Sequence, residues 1–346
     1  MARTIRVVDL TDLAGPPGAA RDAADRALGS AAEDMGFLVI TGAPVAAVTE
    51  PERIASLLRC FALPAAEKRR LLNGRFAPEN PNDYRGMFSY DRAAPGGEGR
   101  LHSEGFDLGS DRPAPAGSDA LTQLLLEPNV WPEEALLPGF RALAERHYRE
   151  LEALGRLMMR SFARYLALGE DYFEPFFGGG SSTLRFLHSP PRPDLTWDAV
   201  DERWRATVAG RPVRLQTVAH RDSGVLTLLW QPGGLQAQDP EGDWLDSPRV
   251  PRSLNVNFGD SLEFWTAGRL PATPHRVLAV EQDRCSIPFF FEPNVEAVIA
   301  PIASLIEAGA PPARPPIRYA DHVLEKIRLF GSHATRRVDA ARSAAA

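Results

Sequence analysis

The pattern of apolar and polar positions changes along the chain, from helical periods in the first half to short β-like segments in the second. IRVVDL at residues 5–10 predicts a strand, Ala19–Met35 carries helix-forming residues that end at Gly36, and FLVITG predicts a second strand. A further helix is predicted to begin at Pro64, because proline suits a first helical turn. The Gly/Pro/Asn-rich stretch 73–99 predicts a long loop.

The longest helical pattern covers about 140–168. Its apolar positions recur at intervals of three and four, which predicts one buried stripe. The stripe consists of Phe140, Leu143, Tyr148, Leu151, Leu154, Met158, Phe162 and Tyr165. This helix is expected to be a scaffold.

After the glycines 178–180 the sequence breaks into short β-like segments separated by turns such as PGG, PEGD and FGD. In one of them Leu254, Val256 and Phe258 alternate with polar residues, which predicts a strand with one buried face. Many such strands indicate a closed or double-layered β architecture. A jelly roll is one such architecture, and it can bind a metal at the open end of its barrel. Residues 317–337 are again predicted to be helical.

Composition narrows the classes of protein that fit. The chain has 346 residues, 44% of them hydrophobic, which is enough for a large buried core. A net charge of −6 with scattered positive residues argues against a nucleic-acid or acidic-membrane partner. No signal peptide or membrane span is expected. Cys60 and Cys285 do not form a disulfide framework, so a cytoplasmic location is predicted.

The sequence also contains a candidate metal site. His220 and Asp222 are two residues apart on a predicted strand, so their side chains share a face while Arg221 points away. With His275 they would form a set of two histidines and one carboxylate that leaves coordination positions open, as expected for non-haem Fe(II) enzymes that activate dioxygen. Alone, a His-x-Asp pair is weak evidence, since a core histidine or a surface pair explains most of them.

A second pair lies nine residues beyond His275. Arg284 and Ser286 share a face, and a guanidinium with a neighbouring hydroxyl can hold the far carboxylate of a dicarboxylic acid. The alternative is an arginine in a surface ion pair.

These residues lie within a longer series of motifs that resembles the 2-oxoglutarate and Fe(II)-dependent dioxygenases of the isopenicillin N synthase-like group. The N-terminal motifs are VVDLTDL, AAEDMGFLVITGAPV, FALPAAEKRRL, DYRGMFSYDR, HSEGFDLG and EPNVWP. The later motifs are HRDSGVLTLLWQ, GGLQAQDPEGDWLDSP, NVNFGDSLEFWTAGRLPATPHRV and RCSIPFFFEPN. The resemblance implies an α+β fold with a double-stranded β-helix (jelly roll) flanked by helices.

The resemblance also implies an organisation and a reaction. A single domain, 1–346, would comprise an N-terminal αβ cover (about 1–130), a catalytic jelly roll (about 180–300) and a C-terminal helix (about 317–337). His220, Asp222 and His275 would bind Fe(II), and Arg284 with Ser286 would anchor 2-oxoglutarate. With O2, the enzyme would oxidise a small molecule, by hydroxylation or else desaturation or cyclisation, and release succinate and CO2.

One departure from the family pattern concerns the co-substrate. Many members have a tyrosine where this chain has Ser189, and Arg185 or His188 in the same stretch could compensate by binding a carboxylate. His188 is alternatively an ordinary hydrogen-bonded histidine. The segment 190–215 is longer than is usual in the family and either carries selectivity or is a surface insertion without function.

The substrate region is predicted from the resemblance and from composition. Tyr84 and Arg85 would approach the substrate, and the aromatic residues Trp265, Phe289 and Phe291 would wall the cavity. Arg185 and Arg85 beside aromatic walls favour a small carboxylate-bearing or amphipathic molecule.

Two alternatives stay open at this point. An Fe(II) oxidase of the same fold could use no 2-oxoglutarate, or a jelly-roll binding or sensor protein could keep the ligands without turnover. The identity of the substrate and the oligomeric state are not predicted.

Overall fold

A computed structural model describes residues 3–90, 103–191, 201–306 and 314–330. Its helices are α1 (Ala19–Met35), α2 (Ala43–Val48), α3 (Pro51–Leu58), α4 (Ala65–Leu71), α5 (Ala120–Leu125), α6 (Phe140–Tyr165), α7 (Asp260–Trp265) and α8 (Tyr319–Phe330). Its strands are β1 (Arg6–Asp9), β2 (Phe37–Thr41), β3 (Gly86–Tyr90), β4 (Ser103–Leu108), β5 (Thr183–Ser189), β6 (Arg205–Val208), β7 (Arg211–His220), β8 (Leu226–Trp230), β9 (Leu235–Gln238), β10 (Trp244–Asp246), β11 (Leu254–Phe258), β12 (His275–Leu278), β13 (Arg284–Phe291), β14 (Val298–Ile299) and β15 (Ile317–Arg318).

Two sheets form the centre of the fold. An eight-stranded sheet has the order β1-β2-β11-β8-β13-β5-β4-β3, and a five-stranded sheet has the order β10-β9-β12-β7-β6. All pairings in these sheets are antiparallel except β1 with β2. A cavity lined by residues of both sheets lies between them. The predicted jelly-roll core with flanking helices is confirmed.

The N-terminal helix α1 has the predicted bounds and ends at Gly36. That residue has φ +65°, and a Cβ atom there would lie 1.9 Å from the Pro271 carbonyl oxygen. Because only glycine tolerates both constraints, the helix must end there and the chain enters β2 directly.

Helix α6 is confirmed as a scaffold. Its buried face includes the predicted Phe140, Tyr148, Leu151 and Phe162, and it packs against β13. At Gly155 the helix approaches so closely that a Cβ atom would lie 2.7 Å from the Phe291 ring. The strand that carries Arg284 and Ser286 is therefore supported from behind by the longest helix.

The expectation of one buried face for the strand Leu254–Phe258 is wrong. All five residues of β11 are buried, including the polar Asn255 and Asn257. The reason is that β11 lies inside the eight-stranded sheet, where one face meets the helices and the other meets the interior between the sheets. Its asparagines therefore face an enclosed polar site rather than solvent.

Two predicted boundaries also change. The predicted loop 73–99 contains β3, because Met87 and Phe88 pair with Phe106 and Gly105 of β4; residues 91–99 lie outside the described residues. The predicted C-terminal helix begins at Tyr319 rather than at 317, where a short strand pairs with β14. Residues 331–337 are likewise outside the described part.

The long segment 190–215 contains a β-hairpin. Strands β6 and β7 are joined by Ala209 (φ +48°) and Gly210 (φ +75°), a backbone that matches the twist of a two-residue hairpin. Trp204 and Leu215 are buried together beneath the hairpin. Residues 192–200 lie outside the described residues. No helix among the described residues is both long and apolar enough to cross a membrane.

Candidate active site

Three possible metal ligands converge at one end of the cavity. His220 ends β7 and is the direct cross-strand partner of His275 at the start of β12, while Asp222 follows β7 by two residues. The Asp222 Oδ1 atom lies 3.6 Å from His220 Nε2 and 3.8 Å from His275 Nε2. One ligand atom from each of the three residues lies within 4.8 Å of the others, so a single cation can contact all three.

Backbone carbonyls fix the orientation of both imidazole rings. His220 Nδ1 lies 2.9 Å from the Val218 carbonyl oxygen, and His275 Nδ1 lies 3.1 Å from that of Thr273. Each Nδ1–H therefore donates to the main chain, so Nε2 is the nitrogen that faces Asp222 and, in the neutral ring, the one that lacks a proton. This tautomer is the one that a metal requires.

The second oxygen of Asp222 has its own partners. Thr227 Oγ1 donates to Oδ2 at 2.5 Å, and Asn257 Nδ2 donates at 2.7 Å. Oδ2 is thus held by the eight-stranded sheet while Oδ1 faces the histidines. Neither donor was predicted from the sequence, although Asn257 is one of the alternating polar residues of NVNFG.

The electrostatics of the three residues suit a divalent cation. Burial opposes the charge on Asp222, but attraction to His275 and the hydrogen bond from His220 outweigh it and hold the carboxyl pKa well below its usual range. Burial, and then repulsion from His220, lowers the pKa of His275 to about 4. Burial also opposes the charge on His220, but its hydrogen bond to Asp222 outweighs this and raises its pKa. A carboxylate with two imidazoles is a donor set that fits Fe(II), whose binding would displace the proton of His220.

The second end of the cavity contains Arg284 and Ser286. Arg284 is buried, its Nε donates to the Gly233 carbonyl at 3.2 Å, and its Nη1 donates to Ser286 Oγ at 3.1 Å. Burial lowers the pKa of the guanidinium to about 10, which leaves it charged at neutral pH. No carboxylate of the described residues pairs with it. Ser189 is its cross-strand partner and also lines the cavity.

The remaining wall of the cavity, whose volume is about 260 Å³, combines rings with charged groups. Arg185 makes a two-pronged ion pair with Asp107, at 2.6 and 2.7 Å, between the rings of Phe88 and Phe290. Tyr84 also lines the cavity, as predicted. Phe88, Phe290 and Glu292 also line the cavity and were not predicted from the sequence.

The placement of His188 on the substrate side is wrong. It lies on the face of β5 opposite to Arg185 and Ser189, because alternate residues of a strand face opposite ways. Its ring bridges Glu104 Oε1 at 2.9 Å and Asp283 Oδ1 at 2.8 Å. It is the hydrogen-bonded strand histidine of the alternative interpretation.

The predicted aromatic wall is wrong for the same reason. Pro288 and Phe290 continue the face of Arg284 and Ser286, whereas Phe289 packs on Tyr148 and Phe291 packs on Phe177.

Two further residues lie behind the cavity rather than in its wall. Trp265 is buried among Phe173, Phe176 and Phe177. Arg85 is also buried, and it donates to Thr183 Oγ1 at 2.7 Å and to the Leu125 carbonyl at 3.2 Å. Neither side chain lines the cavity.

Comparison with known proteins shows the family of the chain. Residues 184–293 match the 2OG-Fe(II) oxygenase superfamily, and residues 5–134 match the family described as non-haem dioxygenase in morphine synthesis N-terminal. A 2-oxoglutarate-Fe(II) type oxidoreductase of Aspergillus fumigatus is 30% identical over 298 residues, which are 85% of this chain and 83% of that protein. Isopenicillin N synthase of Streptomyces clavuligerus is 28% identical over 306 residues, 86% and 87% of the two chains.

Solved structures show the same relationship. A 2OG-Fe(II) oxygenase family protein of Caulobacter crescentus superposes with a TM-score of 0.75 and 27% identity, over 94% of this chain and 99% of its own. The chain belongs to the 2-oxoglutarate/Fe(II) dioxygenases of the isopenicillin N synthase-like family. It is an oxidoreductase whose cofactors are Fe(II) and 2-oxoglutarate, with O2, as predicted.

Proposed function

We propose that this dioxygenase hydroxylates a small molecule bound in the cavity between the sheets, with His220, Asp222 and His275 as the ligands of Fe(II). The observation that carries the proposal is the convergence of His220 Nε2, His275 Nε2 and Asp222 Oδ1, with both Nδ1 atoms and Oδ2 already engaged elsewhere. Each residue thus has one ligand atom directed to the same point.

The proposal assigns Arg284, Ser286 and Ser189 to the far carboxylate of 2-oxoglutarate. These side chains lie on neighbouring strands of the eight-stranded sheet and face the same cavity as the metal ligands. A buried guanidinium without a carboxylate partner among the described residues is costly, and a bound dicarboxylate would supply that partner. Ser189 would donate where many relatives have a tyrosine.

When bound, Fe(II) with 2-oxoglutarate and O2 supplies the oxidising equivalent, while succinate and CO2 are released. The chain itself contributes binding and orientation. Arg284 would set the distance of the co-substrate from the metal ligands, and the rings of Phe88 and Phe290 would hold the substrate in a partly dehydrated space. Hydroxylation is proposed because it needs no additional acid or base from the protein.

The experiment that tests the proposal separates co-substrate binding from turnover. Under anaerobic conditions, 2-oxoglutarate added to the Fe(II) protein should produce a visible charge-transfer band. Arg284→Met should raise the concentration needed for half of this band by roughly 30-fold or more, since loss of one partner of a buried charge pair costs about 2 kcal/mol or more. Iron affinity should be unchanged.

Arg221→Met is the matched control, because Arg221 is next to the same motif but its side chain is about half exposed and lies 3.5 Å from Glu263. It should leave the band unchanged. A metabolite panel scored by succinate release then identifies the substrate, and mass analysis should show the gain of one oxygen atom. The proposal fails if Asp222→Ala retains substrate-dependent succinate release.

A further inference from the structure

The cavity contains ionisable side chains at two opposite places along one strand. Arg284 begins β13, and Glu292 follows its last residue, so both lie on the cavity-facing side of the same alternating series. Eight residues of extended chain separate their backbones by roughly 26 Å at about 3.3 Å per residue. The guanidinium at the Arg284 end suits an anion, whereas the Glu292 end contains a carboxyl group.

The other charged side chains of the cavity wall are already neutralised. Arg185 is held by both oxygens of Asp107, and Lys326 of α8 forms an ion pair with Asp260. Neither cation is therefore available to a substrate carboxylate, in contrast to the expectation from the sequence. Glu292 is the carboxyl of this wall for which the described residues provide no ion pair within 4.0 Å.

The surroundings of Glu292 do not supply the missing positive charge. The Arg85 guanidinium attracts it from behind the wall but donates its hydrogen bonds to Thr183 and Leu125. The neighbouring Tyr319 hydroxyl is uncharged. Burial, together with repulsion from Asp222, raises the pKa of Glu292 to about 7, although these two neighbours and Arg185 oppose the rise. A buried carboxyl that retains such a pKa gains stability from any cation placed next to it.

Glu292 lies beside the loop that follows Asp222. Its Oε1 lies 3.4 Å from the place where a Cβ atom would stand on Gly224, two residues after Asp222. The rings of Phe88, Phe290 and Tyr84 line the same cavity and offer apolar surface to a carbon framework. A carboxylate beside aromatic rings is a favourable environment for an ammonium group.

We infer that Glu292 binds an ammonium group of the primary substrate, so that the enzyme oxidises a small cationic amine. The inference rests on the proposed function, because it places that substrate next to the proposed iron ligands. The separation of charges would also keep the two small molecules apart: the dicarboxylate binds at Arg284, and the amine binds at Glu292. A negatively charged substrate would meet Glu292 and would be excluded.

The test measures binding without turnover. The anaerobic protein with Fe(II) and 2-oxoglutarate is titrated calorimetrically with benzylamine, benzyl alcohol and benzoate, which share one ring and differ in charge. Benzylamine should bind at least about tenfold more tightly than benzyl alcohol, and benzoate should bind most weakly. In Glu292→Gln the preference for the amine should disappear while the affinity for benzyl alcohol changes little.

Two further variants keep the result interpretable. Glu281→Gln makes the same chemical change at an exposed residue outside the cavity and should preserve the ranking of the probes. Glu292→Asp keeps the charge on a shorter side chain and should preserve the ranking with weaker amine binding. Thermal melting of each variant confirms that it is folded.

The inference is overturned if benzyl alcohol or benzoate binds the wild-type protein as tightly as benzylamine, if no amine binding is detected at 10 mM (roughly 2.7 kcal/mol), or if Glu292→Gln leaves amine binding unchanged. These outcomes are distinct from a failure of the proposed function. A normal charge-transfer band without amine preference rejects only the inference, whereas amine preference without the band rejects only the proposed function.

Discussion

At the scale of single residues, Asn257 is the residue that matters most to the proposed metal site beyond its three proposed ligands. It donates to Asp222 Oδ2 at 2.7 Å from within a buried strand. Asn257→Leu, which removes this donor at similar volume, should weaken Fe(II) binding roughly 10- to 100-fold, as found for partners of metal ligands. Metal titration of the stripped protein measures the change.

Asn255→Leu is the control for this prediction, because Asn255 is also buried on β11 but bonds to Ser247 rather than to Asp222. It should retain the iron affinity of the wild type even if it lowers stability. Equal iron affinities for the Asn257 variant and the wild type would show that Thr227 alone orients Asp222.

His188 provides a prediction about pH. Its hydrogen bond to Glu104 and its contact with Asp283 raise its pKa although burial opposes this. Because the folded pKa lies above the unfolded value, the stabilisation is fully present below the unfolded pKa of about 6.5 and is lost as the pH rises through the folded pKa. His188→Gln should lower the free energy of unfolding by roughly 1.5 kcal/mol at pH 6 and by much less at pH 9.

Urea unfolding at the two pH values measures this difference. His322→Gln is the control, because burial lowers the pKa of His322 and its ring carries no stabilising charge to lose. A destabilisation by His188→Gln that is the same at both pH values would contradict the prediction.

The family resemblance predicted His220, Asp222 and His275 as metal ligands, and the structure brings one ligand atom of each close together. Spacing alone did not establish this set, because Asp222 lies beyond the end of β7 and His275 is on another strand.

The substrate wall was predicted less well, although side chains alternate between the two faces of a strand. Because Arg284 and Ser286 face the cavity, this alternation places Phe290 in the cavity and Phe289 in the core. Asn257 could not be assigned, since alternation alone does not distinguish a solvent-facing polar residue from one that faces an enclosed site.

At the scale of elements, the close approach of α6 to β13 makes Gly155 a sensitive position. Alanine would favour the helix by about 1 kcal/mol, but its Cβ would lie 2.7 Å from the Phe291 ring. We expect Gly155→Ala to lower the free energy of unfolding by about 1–3 kcal/mol, the range for overpacked cores. Displacement of β13 should also weaken the binding of 2-oxoglutarate.

Denaturant unfolding and the charge-transfer titration measure both effects. Gly169→Ala is the control, because a Cβ there meets no atom within 4 Å. If Gly155→Ala stabilises the protein, the helix and strand are free to move apart.

Helix α1 was predictable from the glycine that ends it and helix α6 from its apolar period, because both are local properties of the sequence. The strand pairings were not. That β2 would pair with β11 depends on residues more than 200 positions apart, for example Ile40 with Leu254, and no local pattern encodes such a partner. The β-like segment that ends at His220 was predicted, but its partner β6 was not, because that four-residue strand carries little hydrophobic alternation.

At the scale of the whole molecule, the proposed ligands would connect the two sheets. His220 and His275 belong to the five-stranded sheet, whereas Arg284, Ser286 and Ser189 belong to the eight-stranded sheet. Mn(II), which does not support turnover, should raise the melting temperature of the stripped protein, and 2-oxoglutarate should raise it further only when metal is present. At 100 times Kd each ligand adds about 2.7 kcal/mol.

Thermal scanning measures both steps. Arg284→Met should lose the step due to 2-oxoglutarate and retain the step due to Mn(II), while His275→Ala should lose both. Stabilisation by 2-oxoglutarate in the absence of metal would contradict a shared site.

The order of strands in the large sheet has a consequence for how the protein is made. β1 and β2 form one edge and β4 and β3 the other, with β11, β8, β13 and β5 between them. A ribosome releases β4 about 180 residues before β13 is complete, an interval of roughly 10 to 40 s at typical rates of synthesis. During that interval the N-terminal strands are synthesised but the central strands with which they pair are not. The eight-stranded sheet can therefore form only after most of the chain has been synthesised.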